Sequence, residues 1–160
     1  MTAKIRDYEK QIEILAKDTY PVTGLLCQVN GVGALTGLAY VLTIGDPYRF
    51  KKSRILGSYF DLRPRRDDSG ERKTQMRIAK AGNSYMRRLL VSSANYILGP
   101  FGKDCDLRRW GLHMVQRGGK AAKKRAIIAV ARKLSVLLHR LWVTGEVYEP
   151  FRQKAQGKGE

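Results

Sequence analysis

The last third of the chain sets the strongest constraint on its fold. From Lys120 to about Thr144 there is neither proline nor glycine, and Ile127, Val130, Ala131, Leu134, Leu137, Leu138 and Leu141 recur at steps of three and four. That spacing follows the 3.6-residue turn of an α-helix and lines up one apolar face. A helix this long cannot stay amphipathic and unpartnered in water, so other elements must cover it. Gly145 supplies the stop signal.

The upstream segments read mostly as shorter helices. Residues 3–17 carry Ile5, Tyr8, Ile12, Leu15 and Ala16 at helical steps, as either the end of a coiled coil or a plain surface helix, and Pro21 breaks them. Leu25, Leu26 and Val29 form a short apolar face, followed by the tight turn Asn30-Gly31-Val32-Gly33 and a second apolar helix from Ala34 to Ile44. Two short helices around a Gly-Val-Gly turn fit a helix-hairpin-helix. Gly31 and Gly33 would let the backbone approach a phosphate, with helix-start N–H groups aimed at it. An ordinary αα-hairpin has the same spacing. Residues 49–62 read as a helix ended by Pro64, residues 63–75 as an exposed charged loop, and Met76–Leu98 as renewed helical spacing after a Gly82-Asn83 turn. A short helix with Trp110 spans Leu107–Gln116. No alternating strand run stands out. The expected fold class is mainly α, a compact bundle of short helices with a helix-hairpin-helix-like motif and a long C-terminal helix. Residues 1–20 are expected to be the end of a coiled-coil-like helix, 21–150 the domain and 151–160 a flexible tail.

Charge narrows the partners. The chain has 31 Lys plus Arg against 14 Asp plus Glu, a net +17. The basic residues recur along most of the chain rather than on one amphipathic helix, which favours nucleic acid over a membrane surface. Nine of them (Arg63, Arg65, Arg66, Arg72, Lys73, Arg77, Lys80, Arg87, Arg88) fall in residues 63–88 against three acids. A second set, including Lys123, Lys124 and Arg125, opens the last helix. Phosphate contacts from such sets confer affinity with little sequence reading. Two cysteines make no disulfide framework, and no apolar run is long enough for a membrane span, so a cytoplasmic protein is expected.

Enzyme chemistry has few anchors. Cys27, Cys105, His113 and His139 lack metal-ligand spacing, and no metal site is expected. No hydrolase elbow and no Walker sequence occur. Ser69 remains. It lies in the polar stretch with Arg63, Arg65, Arg66, Arg72, Lys73 and Arg77 around it, a setting suited to clamping a phosphate. A serine needs an activating base, and Asp68 is adjacent. The competing reading makes Asp68-Ser69-Gly70 a turn in a phosphate-binding loop.

In order, GVG in a hairpin, IGDPYRF, PRRDDSGE, IAKAGNSYMRRLLV, LRRWG, RGGKAAKKRAIIAVARKLSVLLHRLW and TGEVY resemble the C-terminal transposase domain of the insertion-sequence 110/116/902 family over roughly residues 20–150. The resemblance implies strand exchange of DNA through a phosphoserine link, with Ser69 matching the nucleophile. It also implies a structured guide RNA, homo-oligomeric action and an N-terminal RuvC-like half. Any Mg²⁺ would belong to that half, with no cofactor in this chain. The RuvC-like half has no counterpart here, so a truncated form inactive alone is expected. The alternative is a non-catalytic helix-hairpin-helix DNA- or RNA-binding module. Asn30 and Ala34 replace the family's usual prolines, and Asp61 stands where glycine is usual.

Overall fold

The computed structural model describes residues 2–67, 74–78 and 83–152. The long amphipathic stretch forms α7 (Ala122–Thr144), and the other elements pack around it. It buries Ala126, Val130, Leu134, Leu138 and Leu141, while Ile127 and Leu137 lie half-buried at the edges of the stripe. Gly145 takes a left-handed conformation (φ 67°) and donates its N–H to the Leu141 carbonyl at 2.9 Å, closing the helix where the sequence said it would end.

Two helices flank α7 closely. α5 (Ser84–Leu98) begins at Asn83, whose side chain accepts the Met86 N–H at 3.0 Å, an N-cap of the usual kind. α6 (Asp106–Arg117) crosses α7 at Gly111, where a Cβ would stand 2.6 Å from both Leu98 Cδ2 and Val130 Cγ2. The helix pair α2 (Val22–Leu26) and α3 (Ala34–Ile44) is equally close, because Gly37 leaves room for Thr23 and Cys27. Tyr40 of α3 is fully buried and donates its hydroxyl proton to the Ser135 carbonyl at 2.6 Å, tying this pair to α7.

The mainly α class holds, with two local corrections. Residues 64–67 (β1, Pro64–Asp67) and 74–78 (β2, Thr74–Ile78) form an antiparallel hairpin in place of the expected exposed loop and helix start. Pro64 lies opposite Ile78, Arg66 opposite Gln75 and Asp67 opposite Thr74, with an irregularity between Pro64 and Arg66. Proline has no N–H for the ladder, and bulges collect at such positions. The clue was present in Thr74-Gln75-Met76-Arg77-Ile78, which alternates with period two.

The helix expected over 49–62 is also shorter. Pro47–Arg49 is a 3₁₀ turn capped by Asp46, whose carboxylate accepts the Tyr48 N–H, and only Ile55–Tyr59 is helical (α4). Phe50 is extended and packs edge-on to both Tyr59 and His139, so tertiary packing overrides helical spacing there. His139 is buried, with one ring nitrogen 2.8 Å from Ser53 Oγ and the other 2.8 Å from the Pro47 carbonyl. This pins the 47–54 segment to α7. At the other end, α1 (Thr2–Ile14) and the π turn Leu15–Thr19 bury only Ala16. The apolar residues Ile5 and Tyr8 remain 54% and 63% exposed, so the rest of the described chain does not cover that stripe.

Candidate nucleic-acid interface

The turn between α2 and α3 divides its two glycines between different tasks. Gly31 has φ 95°, and a Cβ there would meet Ile97 Cγ1 at 3.0 Å and the Ser93 carbonyl at 3.3 Å. It is glycine for both backbone and packing reasons. Val32 beside it is buried, and Asn30 accepts the Lys103 N–H at 3.1 Å, so the turn is clamped to the segment that follows α5. Gly33 is exposed, has nothing within reach of a Cβ, and precedes α3 in an extended conformation with no side-chain cap. Of the two, Gly33 is the one a phosphate can approach.

The hairpin is rooted between the core and α5. Leu62 is fully buried just before β1, and its N–H reaches the Gly57 carbonyl. Asp61 is the only described non-glycine residue with positive φ, at 53°. This gives a physical reason for the glycine usual in the resembling family, since the left-handed region favours glycine and tolerates Asp and Asn best among the rest. Asp61 also lies 3.9 Å from the Arg87 guanidinium. Arg87 is 8% exposed, so this member of the expected phosphate-binding set is a buried, ion-paired residue of the core rim instead.

The remaining expected contacts separate by location. Arg63 at the hairpin root and Arg88 on α5 are exposed. Arg65, Arg66 and Arg77 lie on the paired strands. Asp68, Ser69, Arg72, Lys73 and Lys80 fall outside the described residues. Lys123, Lys124 and Arg125 are exposed in the first turns of α7, with Arg117 and Lys120 just before them. No acidic residue occurs between Arg117 and Arg140. This end of the molecule is therefore a cationic cap. Among the described residues no three His, Cys, Asp or Glu side chains converge as a metal site would require, and no helix is long and apolar enough to cross a membrane.

A further group of cations joins the expected contact Arg63 to Arg54 and Arg140, which lie outside both basic sets, and to Arg132 and Lys133. Arg54, Arg63, Arg132, Lys133 and Arg140 line a single cleft of about 1520 Å³ formed by α4, α6, α7 and the segment after α7. The Lys133 ammonium lies 3.6 Å from the centroid of the Trp110 ring. Partial burial, and then the neighbouring Arg132 charge, hold the Lys133 pKa below the ordinary lysine range. The Arg132 stem lies across Gly57, where a Cβ would come within 2.7 Å of its Cγ. Helical spacing hinted at the α7 members, but Arg54 and Arg63 join them only through the tertiary fold.

Residues 23–101 match a family model described as Transposase IS116/IS110/IS902 family. The chain is 31% identical over 149 residues to a transposase for insertion sequence element IS1111A from Coxiella burnetii, covering 90% of this chain and 39% of that protein. It is 28% identical over 151 residues to a probable family 20 transposase from Pseudomonas aeruginosa, covering 94% of this chain and 44% of that protein. A transposase for insertion sequence element IS1328 from Yersinia enterocolitica is 31% identical over 91 residues, covering 57% of this chain and 27% of that protein. The chain thus spans about two fifths of the length of the first two relatives.

Proposed function

The chain belongs to the IS116/IS110/IS902 transposase family, and on that premise we propose that it is the DNA-handling domain that supplies the nucleophile for strand exchange. Ser69 Oγ attacks a DNA phosphorus. A serine–phosphate bond forms as one bond from phosphorus to a sugar oxygen breaks. The hydroxyl proton passes to a base, with Asp68 the adjacent carboxylate, and the departing sugar oxygen takes up a proton. The arginines of residues 63–77 hold the phosphate oxygens and offset the charge that develops on them. Gly33 and the start of α3 grip the DNA backbone, and Lys123, Lys124 and Arg125 add affinity that does not depend on sequence.

The observation that carries this reading is that the matched stretch, residues 23–101, contains Ser69 together with the nine basic residues around it. A structured guide RNA and a second copy of the chain are the proposed partners, and a RuvC-like half is the proposed source of the remaining catalytic groups. Any Mg²⁺ the reaction uses is proposed to act in that half.

Covalent trapping tests the reading. The chain is mixed with labelled DNA, alone and with a supplied RuvC-like half and guide RNA, and the products are denatured and resolved on a gel. A shifted band that survives denaturation and disappears with Ser69→Ala is expected, while reversible DNA affinity changes less than about twofold. Strand exchange that persists with Ser69→Ala would refute the assignment. Absence of any covalent band in the complete mixture, with salt-sensitive binding intact, would leave a non-catalytic DNA- or RNA-binding module as the better description.

A further inference from the structure

The cleft over α7 differs in kind from the cationic cap at the start of that helix. Six basic residues line it: Arg152 of the terminal segment, which pairs with Glu146, and five others from the N-terminus of α4 (Arg54), the hairpin root (Arg63) and α7 itself (Arg132, Lys133, Arg140). None of these five others forms an ion pair with a described carboxylate. Arg132 and Arg140 lie eight residues apart on one helix, about 12 Å along its axis. The acids of the cleft, Asp106, Glu146 and Glu149, come from α6 and the terminal segment, and Glu146 is engaged by Arg152 at 3.4 Å. The cations of α4 and α7 are thus left to face solvent inside a concavity.

The same cleft is apolar between its charges. Leu107, Trp110, Val136 and Leu137 line it, and Trp110 is half-buried with Lys133 over its ring. A duplex presents phosphates outward and keeps its base faces stacked inside, so it has no use for an apolar, aromatic floor. An unpaired strand offers both phosphates for the guanidinium groups and base faces for an aromatic ring. A second protein segment would have to bring acids matched to five cations as well as apolar side chains.

We infer that this cleft binds an unpaired stretch of nucleic acid, its phosphates held by Arg54, Arg132 and Arg140 and a base seated at Trp110 beside Lys133. The inference rests on the proposed nucleic-acid function and assigns the conformation of strand that this face accepts. An RNA loop and a displaced DNA strand share the required chemistry.

The test uses the full chain with Trp142→Phe, which leaves Trp110 as its sole tryptophan. Labelled oligothymidylate, oligouridylate and a DNA duplex of equal length are titrated across a salt series, with anisotropy and Trp110 emission read together. Either single strand is expected to quench Trp110, and the duplex is not. The Arg54→Gln/Arg140→Gln double variant should weaken single-strand binding roughly ten- to thirtyfold near 0.1 M salt and lower the salt slope by about 1.4, at about 0.7 per phosphate contact. Duplex affinity should change less than about twofold, and Arg54→Lys/Arg140→Lys should restore single-strand binding, which a folding defect would not. Stronger quenching by oligouridylate identifies RNA as the occupant, and stronger quenching by oligothymidylate identifies DNA. Unchanged Trp110 emission with duplex binding intact would overturn the inference. Equal quenching and displacement by an oligoglutamate peptide would also overturn it, in favour of an acidic protein segment. Loss of duplex binding as well would instead count against the proposed function beneath it.

Discussion

Asp61 shows how a single position can carry two physical demands. Its backbone sits at φ 53° and its carboxylate lies 3.9 Å from the buried Arg87. Glycine would meet the first demand and lose the second. Asp61→Asn keeps the tolerance for left-handed geometry and removes the charge, whereas Asp61→Ala loses both. Alanine is therefore expected to lower stability by about 1–3 kcal/mol and asparagine by less, as thermal melts would show. Tyr40 makes a second residue-scale case. Burial, only partly offset by a backbone hydrogen bond, raises its phenol pKa well above the ordinary value. A raised folded-state pKa means that the folded chain keeps a proton the unfolded chain releases. The associated stability is complete below about pH 10 and declines as pH rises beyond it. Tyr40→Phe should flatten that alkaline decline, at a cost of about 1 kcal/mol at neutral pH from the lost bond to the Ser135 carbonyl. Denaturant titrations at neutral and alkaline pH would separate the two effects.

At the scale of elements, glycines set how closely helices cross. Gly111 brings α6 onto α7 and Leu98, with no room for a Cβ. Gly111→Ala gains roughly 1 kcal/mol of helix propensity but must push aside Leu98 and Val130, an overpacking cost of about 1–3 kcal/mol. A net loss in melting temperature is expected, larger for Gly111→Val, and an unchanged melt would mean that the two side chains rotate away freely. The hairpin illustrates the opposite limit of sequence reading. β1 is Pro-Arg-Arg-Asp, with no apolar residue to mark a face. Its strand character comes from backbone pairing with β2, and a partner seven or more residues away leaves no local signature. Only the alternation in β2 was readable, and the helical spacing of Ser84–Leu98 immediately afterwards masked it. The short α4 has a similar origin. Its flanking residues could be helical, but Phe50 gains more by wedging between Tyr59 and His139.

Across the whole molecule, the surplus charge dominates. A net +17 on 160 residues repels itself in the folded state. Moderate salt should raise the melting temperature of the free chain by screening that repulsion, while lowering nucleic-acid affinity linearly on a log–log plot. Melts and binding isotherms over the same salt series should therefore move in opposite directions. A chain whose stability and affinity fell together would have its charges already paired internally. The chain has 31 basic residues and only 14 acidic ones, so more than half of the cations cannot pair one to one within it.

Local chemistry determined much of this protein from the sequence alone. The helical period of residues 122–144, the Asn83 cap, the Gly145 stop and the Gly31 turn each depend on neighbours within a few residues. The family resemblance and the cationic character are also properties of the string itself. Tertiary structure decided which charges act together. Arg87, expected on a surface, is drawn into the core rim because Asp61 waits there, and Arg54 reaches Arg132 and Arg140 only because α4 lies on α7. Charge is additive along a chain, but a cleft is made of residues far apart in sequence, and their meeting is fixed by how the apolar faces pack.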